Sequence, residues 1–174
     1  SYGVRVPFTS LRVVDFDLPE RGTVVVFICP IEPHDDYIKR VVGLPGDEIA
    51  VRDDGVFVNG KALHRTYQGT ETFIDKSPNG RWVEFSAERY EEVNDGVSYS
   101  VLQDPKSFFS SHDFGPVMVP EKHLFVMGDN RDHSSDSRAW GFVPQENVLG
   151  KSLFVWWSWG RDGLASERLG TWTN

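Results

Sequence analysis

Short apolar runs broken by tight-turn residues, with no stretch of helical periodicity, direct this chain towards a β architecture. Thr23–Ile28 (TVVVFI) is a continuous run rich in β-branched residues and reads as a buried strand. Tyr37–Val42 (YIKRVV) reads as a second strand, ended by the turn chemistry of Gly43-Leu44-Pro45-Gly46-Asp47. Glu48–Arg52, Asp53-Asp54-Gly55, Val56–Val58 and Asn59-Gly60 follow as strands joined by tight hairpins. From Lys61 to Glu121 the pattern weakens to polar loops and short strands such as Trp82–Phe85 and Val97–Leu102, and it sharpens again at Leu124–Met127 and Leu153–Trp159. The expected fold is mainly β. A core sheet domain comes from residues 1–47 and 123–174, whose first and last segments meet, and residues 48–122 form an inserted smaller β subdomain with its own small sheet. No repeat of 20–50 residues punctuates the chain.

Composition narrows the function. A length of 174 residues suffices for one core, and an apolar content of 39% suits a folded domain. The formal net charge of −8 lacks the basic face that nucleic acid requires and argues against docking on anionic lipid by charge alone. Cys29 is the single cysteine, so no internal disulfide forms; ending an apolar run before Pro30, it reads as a small buried or edge residue rather than a nucleophile. No stretch reaches the roughly 18 apolar residues of a membrane span. The chain opens at Ser1-Tyr2-Gly3 with neither Met nor leader, which reads as a processed or trimmed piece of a longer protein.

Three segments could carry chemistry. In Tyr37-Ile38-Lys39-Arg40-Val41-Val42, alternation sets Tyr37, Lys39 and Val41 on one face and Ile38, Arg40 and Val42 on the other, so one of the two cations should face the interior. A lysine among apolar groups is desolvated when charged; its pKa falls, and the neutral amine can serve as general base for a hydroxyl nucleophile. Taken by itself, the segment reads first as an edge strand with a solvated cation. The second segment, Gly128-Asp129-Asn130-Arg131-Asp132-His133-Ser134-Ser135-Asp136-Ser137-Arg138, directly follows a strand and is dense in residues that hydrogen-bond backbone. Its bland readings are a solvated loop or a calcium loop, although two arginines and the wrong spacing count against calcium. The third, Phe154-Val155-Trp156-Trp157-Ser158-Trp159, with Trp172 beyond it, reads as a core strand or as an aromatic patch at a membrane interface. His34, His64, His112, His123 and His133 are scattered without metal-ligand spacing, so neither a metal nor a cofactor is expected; a Ser/His/Asp triad has no local support.

Together these segments resemble the type I signal peptidases. The resemblance rests on Arg21-Gly22-Thr23-Val24-Val25-Val26-Phe27, on Tyr37 through Asp47, and on Gly128 through Arg138 with Trp140-Gly141-Phe142-Val143-Pro144, in the family's order. It implies a signal-peptidase-like β fold and an endopeptidase that removes signal peptides from exported preproteins after an Ala-x-Ala-like site. Lys39 corresponds to the general base of a Ser/Lys dyad and Ser134 to the serine that orients it. Asp136 and Arg138 correspond to a bracing ion pair, with Asp129, Gly128 and Arg40 in support. Val26, Tyr37 and Ile38 correspond to positions lining the small pockets for the substrate's −1 and −3 side chains, the substrate lying as an added strand. His133 stands where the family usually has Asn. The implied location is the extracytoplasmic face of the cell membrane, with an anchored parent, this domain soluble, and membrane contact made by aromatic residues.

One departure stands out. The family's nucleophile lies in a Ser-x-Ser-Met-x-Pro-like segment before the Arg-Gly block, but Met118 and Met127 both follow valine and no Ser-Met pair occurs. The chain is therefore expected to start after the nucleophile and not to cleave peptides on its own. The alternative within the family is a catalytically dead member that binds preproteins or regulates an active partner. Outside it stand a self-cleaving regulator with the same Ser/Lys chemistry, for which no linker or basic helical part is present, and a plain β binding module.

Overall fold

Branched and aromatic side chains place the strands where the apolar runs fall, and the connections are set by residues that tolerate unusual backbone. The structure is a computed structural model that describes residues 18–52, 55–76, 80–104, 113–152 and four short strands at 154–155, 159–160, 163–164 and 171–172. In chain order the strands are β1 (Val24–Ile28), β2 (Asp36–Gly43), β3 (Glu48–Arg52), β4 (Gly55–Val58), β5 (Lys61–Ala62), β6 (His64–Lys76), β7 (Trp82–Asn94), β8 (Val97–Gln103), β9 (Phe114–Met118) and β10 (His123–Met127). A single helical turn α1 (Ser137–Trp140) precedes β11 (Val143–Pro144) and β12 (Val148–Lys151). Beyond these, β13 (Phe154–Val155) pairs with β16 (Thr171–Trp172), and β14 (Trp159–Gly160) pairs with β15 (Gly163–Leu164). The fold is all-β in character, as the alternating runs and turns require. The aromatic stretch around Trp156 and Trp157 lies outside the described residues.

The first sheet has the order β11-β10-β2-β1-β12, so segments from both ends of the chain flank β2. All its pairs are antiparallel. Each face of the sheet carries its own apolar cluster. Val25, Phe27, Val41, Leu124, Val126, Val143 and Val148 gather on one side, with Tyr37, Leu44 and Trp140 packed against them. Val42, Phe125 and Met127 on the other side pack with Ile49 and Val56 from the second sheet, β5-β4-β3-β9, and with Val119 just beyond β9.

Residues 48–122 thus hold two sheets rather than one small sheet of their own. The β3–β5 and β9 strands share a core with the first sheet, and β6-β7-β8 form a long separate ribbon. Two hairpins show how turn residues set register. Asn59 and Gly60 both have positive φ (53° and 75°) between β4 and β5, as do Asp95 and Gly96 (52° and 83°) between β7 and β8. That pairing of left-handed residues matches the right-handed twist of the flanking strands.

Candidate active site

Lys39 lies on the middle strand of the first sheet, opposite Val25 of β1. Its face is apolar on either side, because Tyr37 and Val41 both belong to the first cluster. The stem is half-buried, and Nζ ends on the Ser134 hydroxyl at 2.8 Å. Burial pulls the Lys39 pKa below the ordinary lysine value; the nearby Asp136 carboxylate opposes this and Arg138 reinforces it. A lysine whose hydrogen-bond partner is a neutral hydroxyl is held against water without a counter-charge in direct contact.

Arg40, the next residue, turns to the opposite face and is buried, at 4% exposure. Alternation leads one to expect one inward cation; the structure turns both inward, because β2 is covered on both faces. Arg40 is fully satisfied. Nε and Nη2 each donate to Asp129 at 2.8 Å, Nη1 donates to the Gly22 carbonyl at 2.7 Å, and the guanidinium lies 4.1 Å from the centre of the Tyr99 ring.

The loop from Gly128 to Asp136 brings Ser134 to Lys39. Its shape is fixed by backbone hydrogen bonds to side chains, which explains its density of Asp and Ser. Asp136 is fully buried and accepts the Gly128 N–H at 3.0 Å, while Arg138 donates to both of its oxygens at 2.8 Å. The Ser137 hydroxyl accepts the Val126 N–H at 3.0 Å, anchoring the loop's far end to β10. Asp132 accepts the Asp104 N–H at 2.6 Å. These carboxylates are engaged with guanidinium and backbone donors, which accounts for an acidic loop without invoking calcium.

Gly128 has a steric reason to be glycine. A Cβ there would fall on the Ser134 hydroxyl, 2.5 Å from Ser134 Cβ and 3.5 Å from Lys39 Nζ. Val26 and Ile38 are cross-strand partners on the face away from Lys39; Val26 is half-buried and Ile38 is 54% exposed. Tyr37 stands instead on the lysine's side, 5.9 Å from Nζ to ring centre. Its hydroxyl donates to Glu32, and that bond pushes its pKa up to about 12. Cys29 is buried, as its position suggested.

The β7–β8 ribbon contributes residues to which the sequence reading assigned no part. Glu92 is fully buried and accepts from Arg131 at 3.0 and 2.5 Å and from the Tyr99 hydroxyl at 2.9 Å. Burial pushes the Glu92 carboxyl up, but the Arg131 guanidinium and the Tyr99 hydroxyl outweigh it and hold the group below the usual carboxylate range. Asn94 donates to the Val42 carbonyl of β2 at 3.1 Å, and Leu102 donates its N–H to Asp129 at 2.8 Å. The Asp95-Gly96 dipeptide is a turn signal for this hairpin, beside the strand stretches Trp82–Phe85 and Val97–Leu102.

Residues 4–157 match the family described as "Signal peptidase, peptidase S26". The chain is 39% identical over 176 residues to the Signal peptidase I of Pseudomonas fluorescens, covering 95% of this chain and 58% of that protein. It is 35% identical over 170 residues to that of Pseudomonas aeruginosa, covering 91% and 56%. With the Signal peptidase I of Rickettsia akari it shares 39% over 150 residues, covering 80% and 52%. The chain thus spans rather more than half the length of these curated relatives. A crystal structure of a signal peptidase I from Enterococcus faecalis V583 aligns with a TM-score of 0.46 at 28% identity, covering 79% of this chain and 98% of that one.

Proposed function

This chain belongs to the signal peptidase family, peptidase S26, and from that premise we propose that it carries the base half of a Ser/Lys endopeptidase that removes signal peptides from exported preproteins. The observation that carries the reading is the contact of Lys39 Nζ with Ser134 Oγ at 2.8 Å, at a half-buried position where burial lowers the amine's pKa. In this reading Ser134 fixes the lysine's direction. Neutral Nζ takes the proton of a serine hydroxyl as that oxygen attacks the scissile carbonyl, and the resulting ammonium returns it to the leaving amine. Asp136 and Arg138 hold the loop, and Asp129 with Arg40 holds its opening to β2.

Val26 and Ile38 form an apolar shelf on the face of β1 and β2 away from Lys39, and Tyr37 stands on the lysine's side. Small side chains at −1 and −3 of an extended substrate fit such a shelf, which favours an Ala-x-Ala-like site. The place of action is the extracytoplasmic face of the membrane, and the contact with lipid is aromatic, through the 154–159 segment and Trp172. Among the described residues no helix is long and apolar enough to cross a membrane.

No Ser-Met pair occurs in the 174 residues, so the nucleophilic serine is proposed not to be among them. The test compares this chain with the same chain fused behind a Ser-x-Ser-Met-x-Pro-like segment, on a fluorogenic Ala-x-Ala peptide. We expect turnover only from the fusion, and its loss in Lys39→Ala. Turnover by the unfused chain that depends on Lys39 refutes the missing nucleophile. Peptide binding without turnover in the fusion favours the preprotein-binding module instead.

A further inference from the structure

We propose that Glu92 and Tyr99 are positioning residues that clamp the strand bearing Lys39 and the loop bearing Ser134 to one another. The inference rests on the Ser/Lys reading for its meaning, and on a closed ring of contacts for its support. Lys39 and Ser134 lie 95 residues apart in sequence and belong to different elements. Each has a neighbour that reaches one of two residues of the β7–β8 hairpin, which are bonded to each other.

From the strand side, Arg40 follows Lys39 directly, and its guanidinium lies on the Tyr99 ring at 4.1 Å. From the loop side, Arg131 lies three residues before Ser134 and donates twice to Glu92. Tyr99 and Glu92 are themselves joined at 2.9 Å. The ring closes through Asp129, which takes two bonds from Arg40 and whose carbonyl accepts the Leu102 N–H of β8.

The burial of these groups makes the clamp stiff. Glu92 and Tyr99 are 0% and 3% exposed, and Arg131 is 7% exposed. A carboxylate and a guanidinium at that depth have no water to exchange with, so each is committed to the other. The hairpin adds two further ties of the same sense. Asn94 holds the β2 carbonyl of Val42, and Asp104 gives its N–H to Asp132 in the loop. The ribbon is thus the common ground on which both halves of the base assembly stand, and the distance between Nζ and Oγ follows from it.

The test uses the 174-residue chain labelled at lysine side-chain carbons, with Lys39 followed by NMR titration and the amides of residues 129–134 by hydrogen exchange. Glu92→Gln leaves Arg131 without its counter-charge, and Tyr99→Phe removes only the hydroxyl while keeping the ring beneath Arg40. In both, a loosened loop readmits water to Nζ. The Lys39 pKa should rise towards the ordinary value of about 10.4, and loop exchange should speed about ten-fold in Glu92→Gln and less in Tyr99→Phe. Ile49→Val, which trims the second cluster away from the clamp, should change neither readout, and this separates positioning from general loss of stability.

Unchanged titration and unchanged exchange in a folded Tyr99→Phe or Glu92→Gln protein overturn the clamp. If Glu92→Gln does not fold, Tyr99→Phe alone decides. A wild-type Lys39 that titrates as an ordinary lysine sinks the Ser/Lys reading instead, and the exchange data still judge the clamp.

Discussion

The two faces of β2 treat adjacent cations in opposite ways. On one face Arg40 is buried and supplied with a forked carboxylate, a carbonyl and an aromatic ring. On the other, Lys39 is half-buried among apolar neighbours and given a single hydroxyl. Both are desolvated. Arginine keeps its proton in any such setting, so its burial is turned into structure. Lysine can release its proton, so in the proposed reading its burial becomes chemistry. Residue type and partner together decide which outcome desolvation has.

Asp129→Asn attacks the satisfied cation. Loss of one partner from a fully buried pair costs about 3–5 kcal/mol. Because the Asp129 side chain is 42% exposed, we expect about 2–3 kcal/mol here, measured by urea unfolding. A cost near zero would mean that Arg40 is held by Gly22 and Tyr99 alone. Gly128→Ala attacks the other face. The new methyl must displace Ser134, at about 1–3 kcal/mol of overpacking, and Lys39 should then titrate closer to an ordinary lysine. An unshifted Lys39 would show that its depressed pKa owes nothing to Ser134's placement.

Ser134→Ala removes one hydrogen bond, worth about 1 kcal/mol of stability. In the serine-fused chain it should lower kcat while leaving KM nearly unchanged, since in the proposed reading Ser134 orients the base rather than the substrate. Lys39→Met should cost least of all. The Lys39 pKa is lower folded than unfolded, so the folded protein holds that proton less tightly. The penalty is present in full below the folded value and disappears as pH rises towards the unfolded value near 10.4. Wild type therefore gains stability across that window. Lys39→Met should lack the gain, and at pH 7 it should match wild type within about 1 kcal/mol or exceed it. A clearly destabilised Lys39→Met protein would make the lysine a structural residue like its neighbour.

What the sequence made legible follows the same division. Strands β1, β2 and β10 were plain because apolar, largely β-branched residues run through a covered sheet, and β3 was plain from the turn residues on either side of it. The ribbon was not. Only its stretches Trp82–Phe85 and Val97–Leu102 were legible, because β7 carries charges at Glu84, Glu88, Glu91 and Glu92, a pattern that reads as solvated surface. Of these, Glu92 alone is fully buried, and register against β8 and the loop decides that, not composition. Lys39, Ser134, Asp136 and Arg138 could be singled out because they stand in two long ordered motifs. Their bracing from β7 and β8 rests on lone residues whose partners are distant in the chain, and no local pattern marks those.

The distance in sequence between Lys39 and Ser134 has a consequence for biosynthesis. Lys39 is translated well before the loop that receives it, and before the ribbon that holds both. A nascent or prematurely ended chain lacking residues 128–138 leaves that lysine in water, protonated and unable to act as a base. On the proposed Ser/Lys reading, the base is assembled only when the last of these segments has been made and folded back on the first.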